Sequence, residues 1–192
     1  MRETRKPTPP DPQSPALASF ELILQKTQGS LFGFVRHLTG DEEEARDLVQ
    51  EVYVDAWRAA ERSKPPFTPG SDEVACRRWL FHVAYCHVIS ALRRRSIIAW
   101  ESLDPLTGRA PVVRDGQTSF EERLVEEDSL RSALQTLDPP DIACLLLRVV
   151  EGCSSVEIAQ ILDIAPDAAR KRLSRAMRRL RAAYFAQEEY AQ

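Results

Sequence analysis

Apolar residues recur at helical spacing along most of this chain, and no useful length of strand-like alternation interrupts them. The spacing predicts a helix from about Ala16 to Leu38. A second follows Thr39-Gly40, with Ala45, Leu48, Val49, Val52 and Ala56 as its apolar stripe and Asp41–Glu44 at the positive end of its dipole. The run Pro65-Pro66-Phe67-Thr68-Pro69-Gly70 breaks the pattern as a loop. Ser71 and Asp72 then open a long helix that ends near Arg95 and buries Leu80, Ala84, Val88 and Ala91. Pro105, Gly108, Pro111 and Gly116 mark a linker, and helical patterning resumes near Ser119 and runs to about Thr136. Asp138-Pro139-Pro140 reads as a turn before the apolar run from Ile142 to Val150. The class is therefore all-α: two small helical domains joined by a flexible linker, the second ending in a helix-turn-helix. The expected boundaries are a proline-rich disordered tail over 1–16, a first domain over 17–100, a linker over 101–127 and a second domain over 128–187.

The helix-turn-helix carries the most chemistry. Ser154 is a good N-cap, and Glu157 three residues on completes a capping box that starts a short helix. Ile158, Ile161 and Leu162 share one face of it. Asp163-Ile164-Ala165 makes the turn, and Pro166 suits the first position of the next helix, where a missing N–H costs nothing. In that helix Ala169, Leu173, Ala176, Leu180 and Tyr184 form one stripe. Lys171, Ser174, Arg175 and Arg178 lie opposite, with Arg170, Arg172, Arg179 and Arg181 around them. A helix packed on one side and densely cationic on the other suits a DNA major groove, where Arg and Lys meet phosphates and guanine edges. Arg170 and Lys171, near the start of the helix, are expected at base edges, and Arg179 further along is expected at phosphate. A solvated basic face on an ordinary bundle helix is the competing reading; the capped helix and tight turn ahead of it favour DNA.

Total charge adds little, because the net value of −3 hides segregation. Residues 41–51 hold six acids against Arg46 alone, whereas 170–181 hold seven bases and no acid. A helix that repels phosphate and one that attracts it imply two different macromolecular contacts. Cys76, Cys86, Cys144 and Cys153 show no CxxC spacing, which leaves a reducing cytoplasm as the expected compartment. No apolar core follows the early bases, so no signal peptide is expected, and Ile142–Leu147 is too short a run for membrane insertion.

On the long helix of the first domain, Arg78, His82, Cys86, Ile89 and Arg93 point away from the buried face, and Arg93, Arg94 and Arg95 close it. Trp79, Phe81 and Tyr85 lie nearby. Cations interleaved with aromatics suit single-stranded nucleic acid, because bases stack on rings while cations track the backbone. Taken singly, each of these aromatics reads more readily as core.

Three stretches in this order resemble the sigma-70 family of bacterial transcription initiation factors, in its small extracytoplasmic-function group: LTGDEEEARDLVQEVYVDAW, RRWLFHVAYCHVISALRRR, and ALQTLDPPDIACLLLRVVEGCSSVEIAQILDIAPDAARKRLSRAMRRLR. The resemblance covers roughly 17–100 and 128–185. It implies a dissociable subunit of RNA polymerase with no covalent chemistry and no cofactor, whose partners are core polymerase, promoter DNA and an anti-sigma factor. It would place Asp47, Leu48, Gln50 and Glu51 against the clamp helices of the largest polymerase subunit. Arg78, Trp79, His82, Cys86, Ser90, Arg93 and Arg94 would meet the −10 element, with the Pro65–Ala75 loop helping to capture a flipped base. Ala168, Arg170, Lys171, Ser174, Arg175 and Arg178 would meet the −35 element.

Several positions depart from that pattern. Cys86 and Ser90 stand where many members carry Asn and Asp, Asp163 replaces the usual turn glycine, and Ala168-Ala169 replace Thr-Val at the start of the reader. Promoter preference therefore cannot be copied from relatives. The alternative is a stand-alone helix-turn-helix regulator, which would bind a two-fold operator without polymerase. An enzyme reading has only His82 and Cys86 at i and i+4 to stand on, half a metal or thiol site with no third ligand on that face.

Overall fold

The computed structural model describes residues 15–62, 64–68, 72–101, 130 and 132–190, without side chains at 15–20, 97–101 and 187–190. The expected tail, the linker, the Ser71 cap and most of the helix expected from Ser119 lie outside the described residues. Six helices are described: α1 (Pro15–Thr39), α2 (Glu42–Glu61), α3 (Glu73–Glu101), α4 (Pro139–Val149), α5 (Ser155–Leu162) and α6 (Pro166–Tyr190). Residues 130 and 132–134, ahead of α4, are also helical. Among the described residues there is no strand.

Helices α1, α2 and α3 pack on one another as a bundle. Leu31, Val35, Val52, Leu80, Ala84 and Val88 are fully buried between them, and Phe34 meets Phe81 edge-on with centroids 5.2 Å apart. The α2 stripe faces inward as its spacing requires, with Ala60 added. Asp41 caps α2 by accepting from the Glu44 N–H at 2.8 Å. Asp72 starts α3, its carboxylate accepting from Val74 at 3.1 Å. α3 outruns its expected end near Arg95 and reaches Glu101, since no proline or glycine stands before Pro105 to break it.

The second unit is α4, α5 and α6. Pro139 and Pro140 do not form a turn outside the helix; they occupy its first turn, where the missing N–H groups are not needed. Gly152, at φ +67°, and an Arg148 side chain donating to the Cys153 carbonyl at 3.1 Å shape the connection to α5. The expected capping box is formed: the Glu157 N–H donates to Ser154 Oγ at 3.3 Å, and the Ser154 N–H donates to Glu157 Oε2 at 2.8 Å. Asp163 ends α5 in the left-handed region, at φ 53° and ψ 53°, a conformation that Asp tolerates better than most side chains. Ile158, Ile161, Ala169 and Ala176 are buried, and α5 and α6 pack on each other and on α4. The two units also touch, α5 lying on α3 and α4 on α1.

Candidate nucleic-acid interface

On α2, Asp47, Gln50 and Glu51 are exposed on the outer face, but Leu48 is 5% exposed and belongs to the bundle core. Its expected place on the polymerase surface is thus corrected: the same stripe that makes α2 pack turns Leu48 inward. Several acids are already engaged. Asp41 caps the helix, Glu42 pairs with Arg46 at 3.1 Å, and Glu44 pairs with Arg95. His87 of α3 lies between two α2 carboxylates, with Nδ1 3.0 Å from Glu51 and Nε2 3.0 Å from Asp55. Sequence reasoning missed this residue, because its partners lie 32 and 36 positions away on another helix.

Along α3, Cys86, Ser90, Arg93 and Arg94 are exposed, whereas Arg78, Trp79 and His82 are half-buried. Phe81 is core, and Tyr85 packs against the core, as the blander reading had them. Trp79 meets Phe67 edge-on at 5.1 Å and forms one wall of a cleft of about 420 Å³ shared with Asp55, Arg58, Ala59, Arg62, Lys64 and Val83. Phe67 is buried, and the Cys76 thiol donates to the Pro66 carbonyl at 3.2 Å, so this part of the loop is fastened to α3. The cleft's cations were not singled out from the sequence; three bases over seven positions beside an aromatic was the available signal. His82 donates from Nδ1 to the Ile161 carbonyl at 2.8 Å, and the Cys86 sulfur lies 3.8 Å from its Nε2. Burial and the nearby Asp163 carboxylate push the Cys86 thiol pKa up.

On α6 the packed stripe and the cationic face separate as expected. Ala169 and Ala176 are buried, while Ala168, Arg170, Lys171, Ser174, Arg175 and Arg178 are exposed. Arg170 is paired with Asp167 one turn back. The bases around that face are not all available. Arg172 reaches Asp141 of α4 at 3.3 Å, and Arg179 reaches Asp141 and Asp138, each at 3.5 Å. Asp141 is buried, so these guanidiniums neutralise a carboxylate that would otherwise carry a large desolvation cost. Asp138, drawn toward Arg179, makes no side-chain cap on α4. Arg179 thus links α4 and α6 in the free chain, an engagement that the sequence did not announce.

The fold therefore presents an acidic helix face, a cationic cleft with an aromatic wall, and a helix-turn-helix whose second helix is basic. Comparison with known proteins agrees with this division. Residues 23–98 match the family described as sigma-70 region 2, and residues 127–180 match sigma-70, region 4. SigL, an ECF RNA polymerase sigma factor of Mycobacterium tuberculosis, is 30% identical over 154 residues, covering 79% of this chain and 80% of SigL. SigX of Bacillus subtilis is 26% identical, covering 85% and 82%. The ECF factor SigE of Mycolicibacterium smegmatis is 26% identical over 86% of this chain, which spans 62% of that relative's length. Among solved structures, the sigma factor RpoE in complex with the anti-sigma factor NepR, from Bartonella quintana, has a TM-score of 0.65 at 23% identity, over 86% of this chain and 96% of that one. CnrH, in complex with the cytosolic domain of CnrY, has a TM-score of 0.61 at 22% identity, over 90% and 94%. The chain belongs to the sigma-70 family of RNA polymerase sigma factors, in its extracytoplasmic-function group.

Proposed function

We propose that this protein is the promoter-selecting subunit of RNA polymerase for a subset of genes. It docks on core polymerase through the outer face of α2, helps open the −10 region with α3 and the adjoining cleft, and reads the −35 element with α6. The observation that carries the reading is the exposed row Lys171, Ser174, Arg175 and Arg178, set on a helix that a capping box and a left-handed turn hold against its own domain. Asp47, Gln50 and Glu51 supply a surface that phosphate repels and a basic protein groove attracts. In the cleft, Arg58, Arg62 and Lys64 suit backbone phosphates, and Trp79 offers a ring to an extruded base. Such a pocket recovers the few kcal/mol, roughly, that unstacking costs. Arg78, Trp79, His82, Cys86, Ser90, Arg93 and Arg94 remain the −10 candidates; Ala168, Arg170, Lys171, Ser174, Arg175 and Arg178 remain the −35 candidates.

No covalent chemistry of its own enters this role. Among the described residues no helix is long and apolar enough to cross a membrane, and the protein works wherever polymerase does, in the cytoplasm. An anti-sigma factor is proposed as its regulator, by analogy with the two solved complexes. Run-off transcription with core polymerase on a genomic fragment library tests the whole reading: promoter-specific transcripts support it. Operator binding without polymerase, and no transcripts with it, would return the stand-alone regulator to first place.

A further inference from the structure

The cleft beside Trp79 holds one group for which a phosphate site has no use. Arg58, Arg62 and Lys64 give it three cations, yet Asp55 lines it as well, the one carboxylate among the described residues there. An acid among three bases works against a phosphodiester, so its place in the lining points to a different part of the occupant. The two oxygens of Asp55 are unequally engaged. Oδ2 accepts from His87 Nε2 of α3 at 3.0 Å, whereas Oδ1 has the Arg58 guanidinium of its own helix at 3.5 Å. The carboxylate is thus held from α3 while Oδ1 keeps accepting capacity, on a side chain that is 40% exposed. Trp79 is held as well: Phe67, itself buried, meets it edge-on with centroids 5.1 Å apart and planes at 86°. A steadied ring and a steadied acceptor therefore share one cleft of about 420 Å³, room enough for a nucleobase.

We infer that Asp55 sets the base preference of this cleft: it accepts a hydrogen bond from the exocyclic amine of the extruded base and so selects cytosine, adenine or guanine over thymine. This rests on the reading of the cleft as the pocket for an extruded −10 base. An ionised carboxylate only accepts. Cytosine, adenine and guanine each carry an amino group on the edge that flipping frees, and proteins that flip a base read that edge by hydrogen bonds. Thymine carries none. Its single donor, the ring N3–H, stands between two carbonyls that a carboxylate repels. Stacking on Trp79 serves every base, and cations on phosphates carry no sequence information, so neither discriminates. Discrimination within the cleft falls to Asp55. Rejecting a base that would leave a polar group unpaired is a selection that hydrogen bonding performs well.

The test is run-off transcription by holoenzyme from a promoter library randomised through the −10 region, with the transcribed templates sequenced. Asp55→Asn keeps the size of the side chain and an oxygen for His87, and adds a donor that the carbonyls of thymine can meet. Wild-type holoenzyme should disfavour non-template thymine at one −10 position by about fivefold or more relative to the amino-bearing bases. Asp55→Asn should remove that deficit and leave the other positions as they were. Synthetic promoters then replace the favoured base with its analogue lacking the amine: 2-pyrimidinone for cytosine, purine for adenine, hypoxanthine for guanine. The wild type should lose about the same factor on the analogue, and Asp55→Ala, checked for folding by circular dichroism, should lose nothing further. Equal use of thymine by the wild type overturns the inference, as does an Asp55→Asn protein weakened alike on all sequences, the mark of a purely structural carboxylate. Arg62→Ala with Lys64→Ala separates the two ways of failing, with permanganate reactivity of −10 thymines reading duplex opening. Undiminished opening would remove the cleft from the −10 element, and this inference with it. Diminished opening, with wild-type base preference in Asp55→Asn, would leave the cleft in place and overturn the role of Asp55 alone.

Discussion

Arg179 separates two accounts of a basic helix. If it contacts phosphate, Arg179→Ala lowers the salt dependence of promoter binding by about one unit in the logarithmic slope. The structure instead gives its guanidinium to Asp138 and the buried Asp141, so its loss should be felt as stability. The Arg179 side chain is 58% exposed, which holds its own contribution to the range of exposed ion pairs, about 0.2–1 kcal/mol. Asp141 is the costlier partner to remove: its loss leaves Arg172 half-enclosed without a counter-charge, at about 1.5–3 kcal/mol, the range for hydrogen bonds to charged groups. In a domain this small about 1 kcal/mol moves the melting temperature by about 4–8 °C. Arg179→Ala should therefore lower melting by about 1–8 °C and Asp141→Ala by about 6 °C or more, with the holoenzyme's salt slope at the −35 element unchanged in the first. The assays are thermal unfolding of the full chain and promoter binding by holoenzyme across a salt series. An Arg179→Ala protein that melts like wild type yet loses one unit of slope would refute this structural link.

Four further outcomes are expected. Asp47→Arg with Glu51→Arg should weaken co-purification with core polymerase while leaving the helical dichroism intact, since both residues are on the outer face of α2. Lys171→Ala should relax preference at one −35 position by about 1–3 kcal/mol of discrimination, measured by selection of randomised promoters with holoenzyme. The Ser154 backbone N–H holds the Glu157 carboxyl below its ordinary value of 4.5. Its stabilisation is present above that value and lost as pH falls through the lowered one, so the urea midpoints of wild type and Glu157→Ala should differ at pH 6 and converge at strongly acidic pH. Native protein should react with a maleimide at Cys86 first, because Cys76, Cys144 and Cys153 are buried and enclosure pushes the Cys144 thiol up to about 11. Equal labelling of all four would contradict the described packing.

Helical periodicity was a dependable guide because it reports burial directly: the stripes of α2, α3 and α6 face inward where the spacing put them. Leu48 is instructive, since periodicity had it inside while the family resemblance put it on the polymerase surface, and the packing follows periodicity. Prolines misled at Asp138-Pro139-Pro140, because a helix's first turn has no use for those N–H groups and accepts proline as readily as a turn does. The pairs Arg172–Asp141 and His87–Asp55 could not be read at all. Each joins residues about 30 positions apart on different helices, and local pattern carries no information about which helices become neighbours. The exposed row on α6 was legible for the opposite reason, as it depends on one helix alone.

His87 has a mechanical consequence. It is rooted in α3, yet its ring is wedged between Glu51, on the face proposed for polymerase, and Asp55, which also lines the cleft beside Trp79. If Glu51 meets polymerase as proposed, a group that draws its carboxylate outward would act on the same ring that contacts Asp55 of the cleft. Linkage makes such a connection reciprocal: whatever occupancy of the cleft does to the hold on polymerase, polymerase does in equal measure to occupancy of the cleft. Docking on the enzyme and opening of the duplex would then be two ends of one lever, with an imidazole as its fulcrum.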